Sequence, residues 1–256
     1  MDRPAPALVR ALEETAFRAW PAAEVETLDG WALRATGSVT RRANSVFTSG
    51  EAGSRISSLE ERIARAEAFY AERALTPRFQ LSPLSVPSGL DAELDRRGYL
   101  REAPVSLQIA ETRSLARVPP AARVELEAVP SERWLDVAAR QSRFRESETI
   151  YRALLGRIGP SARFALGILD GVPLAAGISV VDGDFCGIFS MLTLPAARRK
   201  GLARGVLLAL AHDAHARGAN TLYLQVEREN PAALALYAAL GFSELYGYHY
   251  RVRNPH

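Results

Sequence analysis

The sequence predicts an α/β fold, a mixed central sheet flanked by helices, and it predicts this plan twice along one chain. Three observations support this prediction. In the C-terminal half, apolar runs of strand length separated by Asp-Gly turns alternate with segments of helical period. A strand-helix-strand order in that half requires a parallel pair of strands. The N-terminal half matches the same plan at one constant shift, which places Trp31 on Leu174 (174 − 31 = 143 residues).

The C-terminal half contains the clearest pattern, with the predicted order β-α-α-β-β-β-α-β-α-β. The two hairpin turns are Asp170-Gly171 and Asp182-Gly183. Asn230 is typical of a helix cap, and Pro231 suits the first helical position. The predicted bounds, in chain order, are 123–128, 131–140, 148–158, 163–169, 173–181, 184–194, 202–217, 221–226, 230–241 and 246–252.

The N-terminal half repeats part of this plan. The shift predicts strands at residues 31–35 and 42–48, a helix at 58–73 and a strand around Phe79 and Leu81. Ser58 and Glu61 have the spacing of a capping box at the start of that helix. A Pro-Pro segment at 118–122 is typical of a linker. We therefore predict an N-terminal domain at 1–117 and a C-terminal domain at 118–256.

Composition narrows the function classes. The chain has 256 residues, 48% hydrophobic and 24% charged, with a net charge of +3, as expected of a globular protein with a full core. Basic residues are spread along the chain, so we expect no nucleic-acid partner. No apolar run has the length of a membrane span, and the N-terminus lacks the order of a secretory signal. We expect a cytoplasmic protein without a membrane partner, either a monomer or a homodimer.

Cysteine and histidine are sparse, with one and four residues in the chain. The single cysteine, Cys186, excludes an intrachain disulfide and lies in an apolar run, so we expect it in the core. His212 and His215 have helical spacing but lack further candidate ligands, and a solvated helix face explains them. We therefore expect no metal site.

A basic turn between strand and helix indicates an anion site. The strand that ends near Leu194 runs through Pro195 into Arg198-Arg199-Lys200-Gly201-Leu202-Ala203, where the long helix begins. Amide N–H groups at a helix N-terminus have no intrahelical partner, and the helix dipole adds positive charge there. Gly201 lets backbone approach a phosphate closely, and the basic side chains add charge.

Three motifs stand in register in the C-terminal half, within about 65 residues: Met191 to Pro195, Arg198 to Ala203, and Asn230 to Phe242. Together they make this half similar to the acetyl-CoA region of the GNAT superfamily. The resemblance implies two parallel strands that splay apart, acetyl-CoA as co-substrate and an amine as acceptor. It implies that the following residues bind the cofactor: Met191, Leu192, Thr193, Arg198, Arg199, Lys200, Gly201, Leu202, Ala203, Arg204 and Asn230. The thioester carbonyl would accept a hydrogen bond from a backbone N–H near Met191 or Thr193, where the family's strand carries a bulge.

The resemblance also assigns chemistry. Tyr237 takes the place of the tyrosine that protonates the leaving thiolate, although packing among leucines would also explain it. Some relatives have a glutamate where this sequence has Gln225, and Glu227 is on the same strand face two residues later. Glu227 is the candidate base, acting through water, and Glu146 and Glu148 are alternatives. Each of the three would also be explained as a surface carboxylate, and an amine that arrives neutral would need no base. The identity of the base therefore stays open.

The N-terminal half lacks these residues, with Ser58 at the position of Gly201 and Leu94 at that of Tyr237. We therefore predict one active and one degenerate half. Gly30 to Arg34 and Arg41 to Val46 also resemble a tandem subgroup of GNAT proteins. Arg41 or Arg42, on a strand that faces the cleft, would be able to bind an acceptor carboxylate, although an ordinary surface role also explains them. A non-catalytic acetyl-CoA sensor and an enzyme with another acyl donor are the alternative functions.

Overall fold

A computed structural model describes residues 4–37, 39–50, 58–120, 122–140 and 147–253. The chain divides into two compact units. The first comprises residues 1–106, 227–229 and 246–256, and the second comprises residues 107–226 and 230–245. This division does not follow the predicted boundary between residues 117 and 118. The assignment of an inactive and a cofactor-binding half to residues 1–117 and 118–256 stays a prediction.

The described elements mix helices and strands throughout. In the first part of the chain they are α1 (Pro6–Ala19), β1 (Glu24–Leu28), β2 (Trp31–Ala35), β3 (Val46–Phe47), α2 (Leu59–Ala71), β4 (Arg78–Leu81), α3 (Leu90–Arg96), β5 (Leu100–Glu111) and α4 (Thr112–Ala116). They continue as β6 (Arg123–Glu127), α5 (Glu132–Ala139), α6 (Glu148–Ile158), β7 (Ala162–Leu169), β8 (Val172–Asp182), β9 (Phe185–Thr193), α7 (Leu202–Ala216), β10 (Thr221–Glu227), α8 (Pro231–Ala239) and β11 (Ser243–Val252). Among the helices described, none is long and apolar enough to cross a membrane.

The second unit contains a mixed sheet in the order β6-β7-β8-β9-β10. The hairpins β7–β8 and β8–β9 are antiparallel, and β9 and β10 pair in parallel. Helix α7 packs across β7 and β8, and Val206 fills the space that Gly167 and Gly177 leave open on those strands. The predicted element order of the C-terminal half is confirmed, because its turns and caps are local signals.

The core of the second unit is built from α7 and the strands beneath it. Leu207, Leu210 and Leu222 are fully buried there. Cys186 is also in this core, as predicted. Burial raises the pKa of its thiol to about 12, so the thiolate that a nucleophile requires is not formed at neutral pH.

The first unit contains a smaller mixed sheet in the order β1-β2-β3-β4, with β11 beside β4. Strands β3 and β4 are parallel, and Val46 is opposite Phe79. Helix α2 begins at the predicted capping box, in which the Glu61 amide donates to Ser58 Oγ at 3.2 Å and the Ser58 amide donates to the Glu61 carboxylate at 2.8 Å. The repeated strand-helix-strand plan of the N-terminal half is therefore present.

The predicted strand at 42–48 is wrong over most of its length, since β3 is only Val46–Phe47. Side-chain hydrogen bonds hold the preceding residues in a loop. Asn44 accepts from the Thr36 amide at 2.8 Å and donates to the Thr40 carbonyl at 2.8 Å. Arg34 donates to the Ser45 carbonyl at 3.1 Å. Such bonds compete with a strand ladder, which explains the difference.

Candidate functional site

The parallel strands β9 and β10 separate partway along their length. Their register runs from Phe185 opposite Thr221 to Ile188 opposite Leu224. Strand β9 then continues to Thr193 and β10 to Glu227. The splayed parallel pair that the sequence predicted is thus present, and β9 has an open edge beyond Ile188.

Strand geometry shows which backbone groups face this open edge. The Leu194 amide donates to the Leu174 carbonyl of β8 at 2.9 Å. Because successive residues of a strand direct their N–H groups to opposite edges, the amides of Thr193 and Met191 point away from β8. They point to the edge where β10 has separated. These two residues therefore offer backbone donors and acceptors to an extended ligand.

A bulge in β9 sets this orientation. Ala176 is opposite Leu192, but Ile178 is opposite Phe189, so Ser190 and Met191 both face the single residue Gly177. Ser190 has a φ of +49°, a conformation that residues other than glycine rarely adopt. The bulge predicted near Met191 is confirmed.

The basic turn has the backbone geometry of an anion site. Arg199 and Gly201 both have left-handed backbone, with φ of +60° and +79°, and Gly201 caps α7. The space beside Gly201 Cα is open, with no atom within 4 Å of the position that a Cβ would take. The first amides of a 15-residue helix end there without intrahelical acceptors.

The predicted loop residues contribute in different ways. Arg198, Arg199, Lys200 and Arg204 have exposed side chains. Leu202 is buried in the core under α7, so only its amide is available to a ligand. On β9, Met191, Leu192 and Thr193 are half-buried.

These residues fit acetyl-CoA. The buried Thr193 Oγ1 has no hydrogen-bond partner, and it lies on the residue whose backbone faces the open edge. A ligand that pairs along this edge would bring polar groups to a buried atom that otherwise lacks them. The basic turn beyond the end of β9 supplies amides and positive charge for a pyrophosphate.

Asn230 caps helix α8. Its Oδ1 accepts from the Ala233 amide at 3.1 Å, and Pro231 holds the first helical position. The predicted cap is confirmed, while the contact with acetyl-CoA stays a prediction. The capping bond uses the side-chain oxygen, so the amide nitrogen is the group that remains for a ligand.

Tyr237 is on the inward face of α8 and is 7% exposed. Its ring packs against Phe242 at 5.8 Å between centroids. Burial raises the pKa of its hydroxyl to about 12. Tyr237 is therefore both a packing residue and a phenol that stays protonated at neutral pH, as a general acid must be.

Glu227, the predicted base, is the last residue of β10 and carries an ion pair. Its Oε1 accepts from Arg41 Nη1 at 2.7 Å. Arg41 also donates to Glu102 at 3.0 Å, and Glu102 binds Arg78 at 3.1 Å. Burial alone would raise the pKa of Glu102, but the two guanidiniums outweigh burial and hold it below its usual range. This network orients the carboxylate of Glu227.

Two further predictions concern arginines that would bind an acceptor carboxylate and glutamates that would act as the base. The Arg41 guanidinium is engaged by two carboxylates, which favours a structural role over binding an acceptor carboxylate. Arg42 lies over the Trp20 ring at 5.6 Å. Glu148 forms an i,i+4 pair with Arg152 at 2.8 Å. Glu146, the other alternative base, falls outside the described residues.

In the first unit, the corresponding parallel strands β3 and β4 stay linked beyond their paired residues. Beyond the paired Val46 and Phe47 of β3, Thr48 Oγ1 donates to the Gln80 carbonyl at 2.8 Å, and Ser49 and Ser82 hydroxyls are 3.0 Å apart. The capping-box carboxylate of Glu61 occupies the helix N-terminus that would otherwise attract a phosphate. This geometry supports the prediction that the first half is degenerate.

Sequence reasoning missed the residues that hold the bulge. Tyr151 of α6 contacts Ser190 across 39 positions of sequence, with 3.0 Å between the hydroxyl oxygens. Trp134 of α5 donates to the Gly177 carbonyl at 3.3 Å. The glycine inside a strand was the one available signal, since such glycines mark bulges or close approaches.

A splayed parallel pair, a bulge on its open edge and a basic turn at a helix N-terminus together define a GNAT-type acyltransferase. A family model described as "Probable histone acetyltransferase Rv0428c C-terminal" matches residues 7–253. The chain belongs to this family and is an N-acetyltransferase of the GNAT superfamily. Among the described residues, no group of three or more His, Cys, Asp or Glu side chains is placed to hold a metal ion.

Curated relatives agree with this assignment. The chain is similar to "Uncharacterized N-acetyltransferase YobR" of Bacillus subtilis (strain 168), with 33% identity over 251 residues that cover 96% of this chain and 98% of the relative. A shorter match, 39% identical over 75 residues, covers 29% of the chain and 51% of the "[Ribosomal protein bS18]-alanine N-acetyltransferase" of Escherichia coli (strain K12).

Solved structures show the same fold. A "GCN5-related N-acetyltransferase from Kribbella flavida" matches with a TM-score of 0.70 at 15% identity, covering 100% of this chain and 98% of that one. A "Tandem GNAT protein from the clavulanic acid biosynthesis pathway" matches with a TM-score of 0.66 at 14% identity, covering 99% and 91%. The likeness to a tandem protein agrees with two GNAT-like halves.

Proposed function

We propose that the chain transfers an acetyl group from acetyl-CoA to the primary amine of a small molecule or peptide by direct attack. The observation that carries this proposal is the open edge of β9, where Met191 and Thr193 direct backbone groups away from β8 toward the anion-binding turn at Gly201. Acetyl-CoA requires a site of this kind. An open strand edge can pair with its pantetheine amides, and the turn that follows can bind its pyrophosphate.

Each chemical requirement of acetyl transfer has a candidate group. A backbone N–H near Met191 or Thr193 donates a hydrogen bond to the carbonyl oxygen of the thioester as negative charge develops on that oxygen. Tyr237 holds a proton for the departing thiolate, and its raised pKa keeps that proton in place until charge forms nearby. Acetyl-CoA supplies an activated acyl group when bound. The Arg199 to Arg204 amides and basic side chains hold its pyrophosphate.

The proposed base is Glu227, acting directly or through a water. Glutamine at 225 has no basic group at neutral pH, whereas Glu227 lies on the same face of β10. The ion pair with Arg41 fixes the orientation of this carboxylate. A water between carboxylate and amine would relay the proton.

Glu227→Gln is expected to lower kcat by about 100-fold at neutral pH, the range of general-base catalysis, and to leave acetyl-CoA binding unchanged. The measurement is the rate of thiol release at saturating acetyl-CoA. Glu229→Gln, which removes an exposed carboxylate two residues later, is the matched control. Equal rates for wild type and Glu227→Gln would contradict the assignment and favour an amine that arrives neutral.

The function itself is tested by incubating the protein with acetyl-CoA, a panel of amines and a free-thiol dye. The panel includes free amino acids, aminoglycosides, polyamines and a peptide with N-terminal alanine. The last probe is the group named for the Escherichia coli relative. Acetylated product and thiol in equal amounts are expected for at least one amine. Binding of acetyl-CoA without release across the panel would favour the sensor, and release only with longer acyl-CoA would favour another donor.

A further inference from the structure

The bulge in β9 is the feature on which the proposed oxyanion donor depends. A strand directs alternate N–H groups to opposite edges, so one inserted residue exchanges the edges for every residue that follows. With the bulge, Met191 and Thr193 face the open edge. Without it, the Leu192 amide would face that edge, and the Met191 amide would point toward β8 instead of toward the ligand.

The backbone at the bulge is strained. Ser190 has a φ of +49°. The left-handed conformation is unfavourable for a residue with a Cβ, such as serine. The intrinsic preference of Ser190 therefore does not explain this conformation. Interactions from outside the strand must therefore maintain this conformation.

Helix α6 provides one such interaction. The Tyr151 hydroxyl is 3.0 Å from Ser190 Oγ, and either oxygen can be the donor. Tyr151 is 2% exposed, so water does not compete readily for this bond. The ring is fixed by near-parallel stacking on Trp134, with 6.5 Å between centroids and 24° between planes.

Helix α5 holds the opposite side of the bulge. Trp134 Nε1 donates to the carbonyl of Gly177, the residue that faces both Ser190 and Met191. Trp134 is fully buried and packs edge-on against Phe164 at 5.3 Å. At Gly177 a Cβ would lie 2.7 Å from Met191 Sδ, so the two strands approach closely where the bulge forms.

We infer that Tyr151 and Trp134 are positioning residues for acyl transfer: they clamp the β9 bulge at Ser190 and Gly177 and so aim the Met191 amide at the thioester carbonyl. This inference rests on the proposed function. The clamp acts through the backbone, and neither side chain touches the reacting atoms. Trp134 belongs to α5 and Tyr151 to α6, and the resemblance to GNAT proteins assigned neither of these two residues to the chemistry.

Tyr151→Phe removes only the hydroxyl of the clamp. We expect kcat to fall about tenfold, because one hydrogen bond that holds the bulge is lost. The Kd for acetyl-CoA should change less than about threefold. Ser190→Ala should have the same effect, because the bond is lost and alanine still resists the left-handed conformation. Glycine adopts that conformation without strain. Adding Ser190→Gly to Tyr151→Phe should therefore restore kcat to within about threefold of wild type.

The control is Tyr99→Phe, which removes a phenol bonded to Glu67 at 2.8 Å in the first unit and should leave kcat unchanged. Hydrogen exchange of the Leu192 amide, which points toward β8 only when the bulge is formed, is measured by NMR and gives a readout independent of activity. Tyr151→Phe should speed this exchange, and the double variant should restore it. Unchanged kcat and exchange in Tyr151→Phe, or a double variant no better than the single one, would overturn the clamp.

The outcomes separate the two proposals. If wild type acetylates no amine but exchange at Leu192 responds to Tyr151→Phe and recovers in the double variant, the proposed function fails and the clamp stands. If wild type is active and Tyr151→Phe changes neither rate nor exchange, the function stands and the clamp fails.

Discussion

Gly201→Glu is expected to weaken acetyl-CoA binding by at least about 100-fold, equivalent to about 2.7 kcal/mol. Two effects add. The φ of +79° at Gly201 is unfavourable for any side chain, so the turn shifts. The new carboxylate would also stand at the helix N-terminus, where its charge repels the pyrophosphate and competes for the same amides.

The matched control for this variant is Gly218→Glu. Gly218 follows the other end of α7, also has left-handed backbone with φ of +89°, and has open space around it. The backbone strain and the added charge are therefore similar in both variants, but only Gly201 adjoins the proposed phosphate site. Isothermal titration calorimetry with acetyl-CoA measures both. Equal loss of affinity in the two variants would show that strain in α7, not the anion site, causes the effect.

Tyr237→Phe is expected to lower kcat by about 100-fold and leave the Kd for acetyl-CoA within about twofold, because a general acid acts on the transition state. Phenylalanine preserves the packing against Phe242, so the fold should be retained. Tyr223→Phe, a buried tyrosine of β10 whose ring packs on Phe189, is the control and should keep full activity.

The pH profile adds a second test of Tyr237. Its pKa is raised to about 12, and an acid acts while it is protonated, so activity should not decline on its account as the pH rises to about 10. A wild-type profile that falls with a midpoint well below pH 10 and flattens in Tyr237→Phe would show a lower pKa than burial indicates. Normal kcat in Tyr237→Phe would leave Tyr237 as a packing residue.

The sequence predicted the C-terminal half well because its signals are local. Asp170-Gly171 and Asp182-Gly183 are adjacent pairs that set hairpin turns, and Asn230-Pro231 sets a helix start. Gly201 marks both the turn and the start of α7. The anion site follows from these elements, because the backbone N–H groups at the N-terminus of a helix point outward and can bind an anion.

The parts that were missed depend on contacts between distant residues. The strand predicted through Arg42 became a loop partly through the local bonds of Asn44. In addition, Arg34 binds Ser45 and reaches Gln80, 46 residues away, at 2.9 Å. No window of sequence contains that interaction. The contact of Tyr151 with Ser190 is of the same kind. Helix α1 was missed as well, although the constant shift of 143 residues places Pro6 at position 149, inside the helix predicted at 148–158.

A crystal structure with acetyl-CoA bound would test the central claim most directly, namely that one cofactor binds along the open edge of β9 and at the Gly201 turn. We expect one molecule per chain, with its pyrophosphate within hydrogen-bond distance of amides between Arg199 and Arg204 and its pantetheine amides paired with Met191 and Thr193. Acetyl-CoA bound between β3 and β4, a second molecule in the first unit, or an empty β9 edge would contradict the account.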